Sequence, residues 1–150
     1  MKTLVVYDSV YGNTEKIAKS IGEAIEEDVK VLSVGAVSSS DLESVDLLIA
    51  GSPTYGGRPT PGMQNFLNNT VTGSSLKDVS VAAFDTRSTA NWVKIFGFAS
   101  GKITSSLKAN GGIPVVSPEG FYVTGTKGPL KEGELERAAS WAKEIISNKK

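Results

Sequence analysis

The sequence predicts an α/β fold, a doubly wound five-stranded parallel sheet with helices on both faces. Two observations carry that prediction. Short β-branched runs recur at Leu4–Tyr7, Val29–Val34, Asp46–Gly51, Val79–Phe84 and Ile113–Ser117, most of them apolar on successive residues rather than on alternate ones. Such runs mark strands buried on both faces. Between them lie stretches with helical periodicity, so strand alternates with helix and each connection is a right-handed crossover.

After the first strand, Ile17, Ala18, Ile21 and Ile25 stripe a helix, with Asn13 or Thr14 expected as its N-cap and polar Glu26, Glu27 and Asp28 behind it. The second crossover, Gly35 to Val45, has room only for a short helix, with Ser40-x-x-Glu43 as a capping box. Thr60-Pro61 reads as an N-cap followed by proline at the first helical position, before an apolar face of Met63, Phe66 and Leu67 and a stop at Asn68-Asn69. Ala99, Ile103 and Leu107 form a third helix closed by Gly111-Gly112. The stretch Pro118–Lys131, rich in Gly and Pro around an extended Phe121-Tyr122-Val123, interrupts or extends the last strand. Leu135, Ala138, Ala139, Ala142, Ile145 and Ile146 stripe a final helix, and Trp141 at the stripe's margin reads as core.

A chain of 150 residues with 39% hydrophobic and 21% charged residues is expected to fold as one domain over 1–150. It has no cysteine and no histidine. Thiolate chemistry, iron–sulfur ligation, imidazole bases and Ser-His-Asp triads are therefore excluded, and redox chemistry needs a bound cofactor. Sixteen basic against sixteen acidic residues leave no strongly basic footprint, so no nucleic-acid partner is expected. The N-terminus lacks a signal-peptide pattern and no apolar run is long enough for a membrane span, so a cytoplasmic protein is expected.

Ligands in doubly wound sheets sit beyond the carboxyl ends of the strands. The loop Ser9-Val10-Tyr11-Gly12-Asn13-Thr14 joins a buried strand to a helix, whose free N–H groups and dipole form an anion site. The Ser9 and Thr14 hydroxyls and the Asn13 amide add donors, and Gly12 admits close approach. This suits a terminal phosphate monoester, or is simply a helix start with polar caps. The Walker A lysine and the G-x-G-x-x-G fingerprint are both absent. In the second loop, Ser52 to Pro59, Tyr55 offers a flat face and Gly56-Gly57 allows a peptide flip. The third loop carries Asp85-Thr86-Arg87, then Trp92, which is either core or a second aromatic at the site. Together the loops describe a site for a mononucleotide with a large planar ring.

These residues carry a family resemblance. Asp8–Thr14 with Glu15 resembles the flavodoxin phosphate loop, and Leu47–Gly57, LLIAGSPTYGG, resembles the loop over the flavin. The resemblance follows element order along the whole chain, and the length suits a short-chain flavodoxin. It implies strand order 2-1-3-4-5, noncovalent FMN, and one-electron transfer between redox partner proteins, a reductase and an electron acceptor, by a monomer or weak dimer. It further implies that Ser9, Val10, Tyr11, Gly12, Asn13 and Thr14 hold the ribityl phosphate, Val10 and Tyr11 through backbone N–H where many flavodoxins have threonine. Pro53, Thr54, Tyr55, Gly56 and Gly57 would line one side of the ring, with Tyr55 stacked. Asp85, Thr86 and Arg87 would add contacts from the third loop, with Trp92 covering the second face, although this loop departs from the family's Gly-Asp-x-x-Tyr-like stretch. Phe96 and Phe98 are core or cover the flavin's dimethylbenzene edge. No catalytic residue and no metal ligand is expected.

Flavodoxins are usually acidic around the flavin, whereas this chain puts Arg58 and Arg87 in the flavin loops, cations expected to raise its lower potential. The tail from Pro118 to Ile145 resembles stand-alone flavodoxin-domain proteins that look related to menaquinone-dependent protoporphyrinogen oxidases. An FMN-dependent oxidoreductase acting on a quinone or porphyrinogen is thus the alternative. A phosphoacceptor receiver domain shares the fold, but Gly51-Ser52 stand where it needs an aspartate.

Overall fold

The computed structural model describes residues 1–26, 28–72, 75–88, 98–125 and 127–149. Its strands are β1 (Thr3–Tyr7), β2 (Val29–Ser33), β3 (Leu47–Pro53), β4 (Ser80–Ser88), β5 (Ile113–Pro114) and β6 (Glu119–Val123). All pairs are parallel, in the order β2-β1-β3-β4-β5, and β6 also pairs with β4. The helices are α1 (Asn13–Ala24), α2 (Pro61–Asn65), α3 (Ala99–Ala109) and α4 (Glu134–Asn148), and α2 continues in wider π-helical turns over Phe66–Val71.

Successive strand residues serve opposite faces. Leu4, Val6, Leu48, Ala50, Val81 and Ala83 pack with Met63, Phe66, Ile103 and Leu107 of α2 and α3. Val5, Leu47, Ile49, Ala82 and Phe84 pack with Ile17, Ile21, Ala138, Trp141 and Ile145 of α1 and α4. Both faces are covered, which is why these strands read as continuous apolar runs. Trp141 is core, edge to face with Phe84 at 6.0 Å and Phe121 at 5.9 Å. Among the described residues no helix is long and apolar enough to cross a membrane.

Four local expectations are corrected. The last strand breaks after Pro114 and resumes at Glu119, because neither Pro114 nor Pro118 has an N–H for the ladder. Val115 still donates to the Val81 carbonyl at 3.2 Å, and β6 then pairs Phe84–Ser88, further along β4. The N-cap of α1 is Gly12 at φ +92°, because the Asn13 and Thr14 side chains are committed to distant partners. The second crossover makes two 3-10 turns, Val34–Ala36 and Ser39–Leu42, and its capping pair is Ser38 with Asp41, the Ser38 N–H donating to Asp41 Oδ2 at 2.9 Å. The helix after Thr60 runs past Asn68-Asn69 to Val71, which is fully buried and keeps the apolar face going.

Candidate functional site

The carboxyl ends of β1, β3 and β4 open onto a cavity of about 250 Å³. On its first side the Ser9 hydroxyl accepts from Gly12 N–H at 3.0 Å and Glu15 N–H at 3.4 Å, closing the loop ahead of α1. The backbone N–H groups of Val10, Tyr11, Asn13 and Thr14 find no acceptor among the described residues. They stand at the positive end of a twelve-residue helix, which is a set of donors suited to an anion. The Asn13 amide, expected among those donors, instead gives its N–H to the Lys127 carbonyl at 3.1 Å. Thr14 and Thr86 share a hydrogen bond between buried hydroxyls at 2.8 Å, which ties the loop to β4.

Two further bonds brace this loop. Asp8 Oδ1 accepts from Ser9 N–H at 3.0 Å and Asp8 Oδ2 from the Thr60 hydroxyl at 2.5 Å, which joins the first loop to the second. The Tyr7 hydroxyl donates to Glu15 at 3.2 Å, and Glu15 pairs with Lys19 at 2.9 Å. Lys19 holds the Glu15 carboxyl below the usual carboxylate range. Burial, with the Glu15 charge behind it, pushes the Tyr7 hydroxyl above its ordinary value.

In the second loop Tyr55 and Arg58 exchange backbone hydrogen bonds of 2.7 and 2.9 Å around Gly56 and Gly57. Those glycines have φ of +54° and +80°, the mirror-image two-residue turn that needs positive φ at both positions. The turn holds the Tyr55 ring out at the cavity, 46% exposed. Thr54 Oγ1 accepts from Ala99 N–H at 3.1 Å and so anchors the loop to the start of α3.

Beneath the third segment lies an ion pair. Asp85, fully buried, accepts Nε and Nη2 of Arg87 at 2.7 Å each and the Ser100 N–H at 3.0 Å, so it also caps α3. The Arg87 guanidinium stacks 3.4 Å from the Phe98 ring centroid and lies over Gly120, where a Cβ would come within 2.2 Å of Arg87 Cζ. Arg87 is therefore not the free cation that the sequence suggests, since Asp85 matches its charge.

A model of the flavodoxin domain family matches residues 4–94. The chain belongs to the flavodoxin family. A flavodoxin of Haemophilus influenzae is 27% identical over 158 residues, covering 93% of this chain and 90% of that relative. An uncharacterized protein of Methanocaldococcus jannaschii is 26% identical over 160 residues, covering 99% of this chain and all of the relative. A solved archaeal flavodoxin superposes with a TM-score of 0.84 at 24% identity, covering 99% of each chain, a likeness of fold.

In this flavodoxin the cavity brings together Ser9, Val10, Tyr11, Asn13, Thr14, Pro53, Thr54, Tyr55, Gly56, Thr86 and Arg87. Three expected residues stand apart from its wall. Gly12 is taken up as the helix cap, Gly57 is buried at the inner corner of the turn, and Asp85 lies beneath the wall with Arg87. Trp92 and Phe96 lie outside the described residues. The wall also includes Ser88, Val123 and Gly125, which sequence reading missed. Their signal is the extended Phe121-Tyr122-Val123 run, but only its register, Ser88 opposite Val123, brings it to the site.

Proposed function

We propose that this flavodoxin carries single electrons on noncovalently bound FMN, between a reductase and an electron acceptor. The observation that carries the reading is one cavity with open N–H donors at the start of α1 on one side and the exposed Tyr55 ring on the other. That donor set fits a terminal phosphate and the ring fits a flat heterocycle. FMN, when bound, supplies reversible uptake of electrons. The N–H groups of Val10, Tyr11, Asn13 and Thr14 and the Ser9 hydroxyl would hold its phosphate. Tyr55 would stack on one face of the ring, and the Gly56–Gly57 peptide would present its polar atoms to the ring edge. Trp92 is the proposed cover of the other face.

The described cavity wall carries hydroxyls and one compensated arginine but no carboxylate, which favours a carrier over an oxidoreductase with its own proton chemistry. The test is an absorption spectrum after loading with FMN and desalting, then stepwise reduction without oxygen, with riboflavin in parallel. Retained FMN, weaker riboflavin and two resolved one-electron steps are expected. Loss of FMN on desalting would overturn the reading, and steady turnover of a quinone would favour the oxidoreductase.

A further inference from the structure

We propose that the face around the cavity mouth docks an acidic redox protein, through an apolar centre of Val10, Tyr11 and Tyr55 and a cationic rim of Arg58, Lys102 and Lys127. The proposal rests on the carrier reading, which requires a partner at this face. Val10, Tyr11 and Tyr55 are 45%, 46% and 46% exposed, and all three lie on the cavity. Large apolar side chains left in solvent together at one site mark an interaction surface.

Among the described residues the cations around them outnumber the carboxylates left without a cation. Lys127 Nζ stands 5.9 Å from the Tyr11 ring centroid, and its carbonyl is pinned to the first loop by Asn13. Arg58 closes the turn that carries Tyr55, and Lys102 Nζ donates to the Gly57 carbonyl in the same turn. Arg58 and Lys102 line a second hollow of about 280 Å³ with Gln64 and Asn68. None of the three cations has a carboxylate within ion-pair distance among the described residues. Of the nearby carboxylates, Glu15 is paired with Lys19 and Asp85 with Arg87, whereas Asp8 is held by the neutral donors of Ser9 and Thr60 and sets one negative charge against the three cations.

A chain of zero net charge thus presents a positive mouth. An apolar centre inside a charged rim is how protein partners dock and are steered. Three cations around aromatic rings are a poor match for a polyphosphate backbone, which needs a longer basic track. The partner selected is a protein whose electron-transfer face is acidic, the reverse of what an acidic carrier would take.

The test is a titration of the isotope-labelled protein, as purified, with poly-L-glutamate and poly-L-lysine, following backbone amides by NMR at low and high salt. Poly-L-glutamate is expected to shift the amides of Val10, Tyr11, Tyr55, Arg58 and Lys127. Its affinity should fall about fivefold in the double variant Arg58→Gln, Lys127→Gln, whose spectrum elsewhere is unchanged, and largely vanish at high salt. Shifts elsewhere, an unaltered variant, or tighter binding of poly-L-lysine, single-stranded DNA or phosphatidylserine vesicles would overturn the proposal. A second arm loads FMN, reduces the protein and times its one-electron oxidation by anionic ferricyanide, which becomes ferrocyanide, and by cationic hexaamminecobalt(III). The ferricyanide rate should drop roughly threefold to tenfold in the double variant without a drop for the cobalt complex, and equal effects on both would overturn it. Loss of FMN would defeat the carrier reading while leaving the peptide map standing, and retained FMN without the map would defeat the docking face alone.

Discussion

Beneath the cavity Asp85 and Arg87 meet at 2.7 Å with the carboxylate fully buried, whereas at the rim Arg58 and Lys127 stand in solvent without a carboxylate partner among the described residues. In the sequence both arginines follow the expected end of an inner strand, which suggests the same role for both, but β4 runs on through Arg87 to Ser88. The difference is local. Asp85 and Arg87 are two apart on β4, so their side chains leave the same face of the strand and pair there. Arg58 sits in a tight turn between Gly57 and Pro59, with no acid beside it. A charge in a loop sequence therefore says little about the field at a site until its nearest opposite charge is found. The floor uses charge to hold α3 and the loops in place, and the rim leaves charge available to whatever approaches.

The largest effect expected is on the floor. Asp85→Ala removes the partner of Arg87 and the carboxylate that takes the Ser100 N–H, and should cost about 3–5 kcal/mol in urea unfolding. An unchanged midpoint would mean that floor and rim do not differ. Gly120→Ala pushes a methyl into the guanidinium, which Asp85 prevents from swinging away, and should cost about 1–3 kcal/mol. In the Asp85→Ala background that cost should shrink, a non-additivity that a double-mutant cycle reads directly. Thr60→Ala removes the cap on Met63 N–H and the hydroxyl on Asp8, for about 1–2 kcal/mol by the same unfolding assay.

A smaller effect, confined to low pH, tests a second buried carboxylate away from the cavity. Arg137, together with the Tyr122 N–H, holds the Glu134 carboxyl below the usual range despite its burial. Because the folded value lies below the unfolded one, this stabilisation is complete above about pH 4.3 and is lost as the pH falls through the depressed folded value. Glu134→Gln should flatten that part of the acid-unfolding curve. The smallest effect belongs to the rim, where Arg58→Gln should move the unfolding midpoint by less than about 0.5 kcal/mol. A large loss there would make Arg58 part of the floor.

Much of this was legible in the residues themselves. Continuous apolar runs separated by helical stripes place β1 to β4 and all four helices, and Thr60-Pro61 starts α2 as its side-chain chemistry requires. The strand ends, and hence the loops at Ser9–Thr14 and Ser52–Pro59, follow because a parallel sheet puts its βα loops on one edge. Illegible were the commitments made at long range. Asn13 reads as a donor for a ligand, yet its partner Lys127 lies 114 residues on. Val123 and Gly125 reach the wall only because a strand broken at two prolines resumes beside the far half of β4.

Periodicity, chain punctuation and the lack of cysteine and histidine determined the fold class, the positions of the loops and the need for a borrowed cofactor if the chain is to do redox chemistry. These are local or compositional properties, and they survive without knowing what touches what. Only the tertiary structure decided which donors stay open at the start of α1, which arginine is matched by an acid and which faces solvent. Hydrogen bonds and ion pairs form between groups that folding brings within about 3 Å, and that proximity is a property of the packed layers, not of order along the chain.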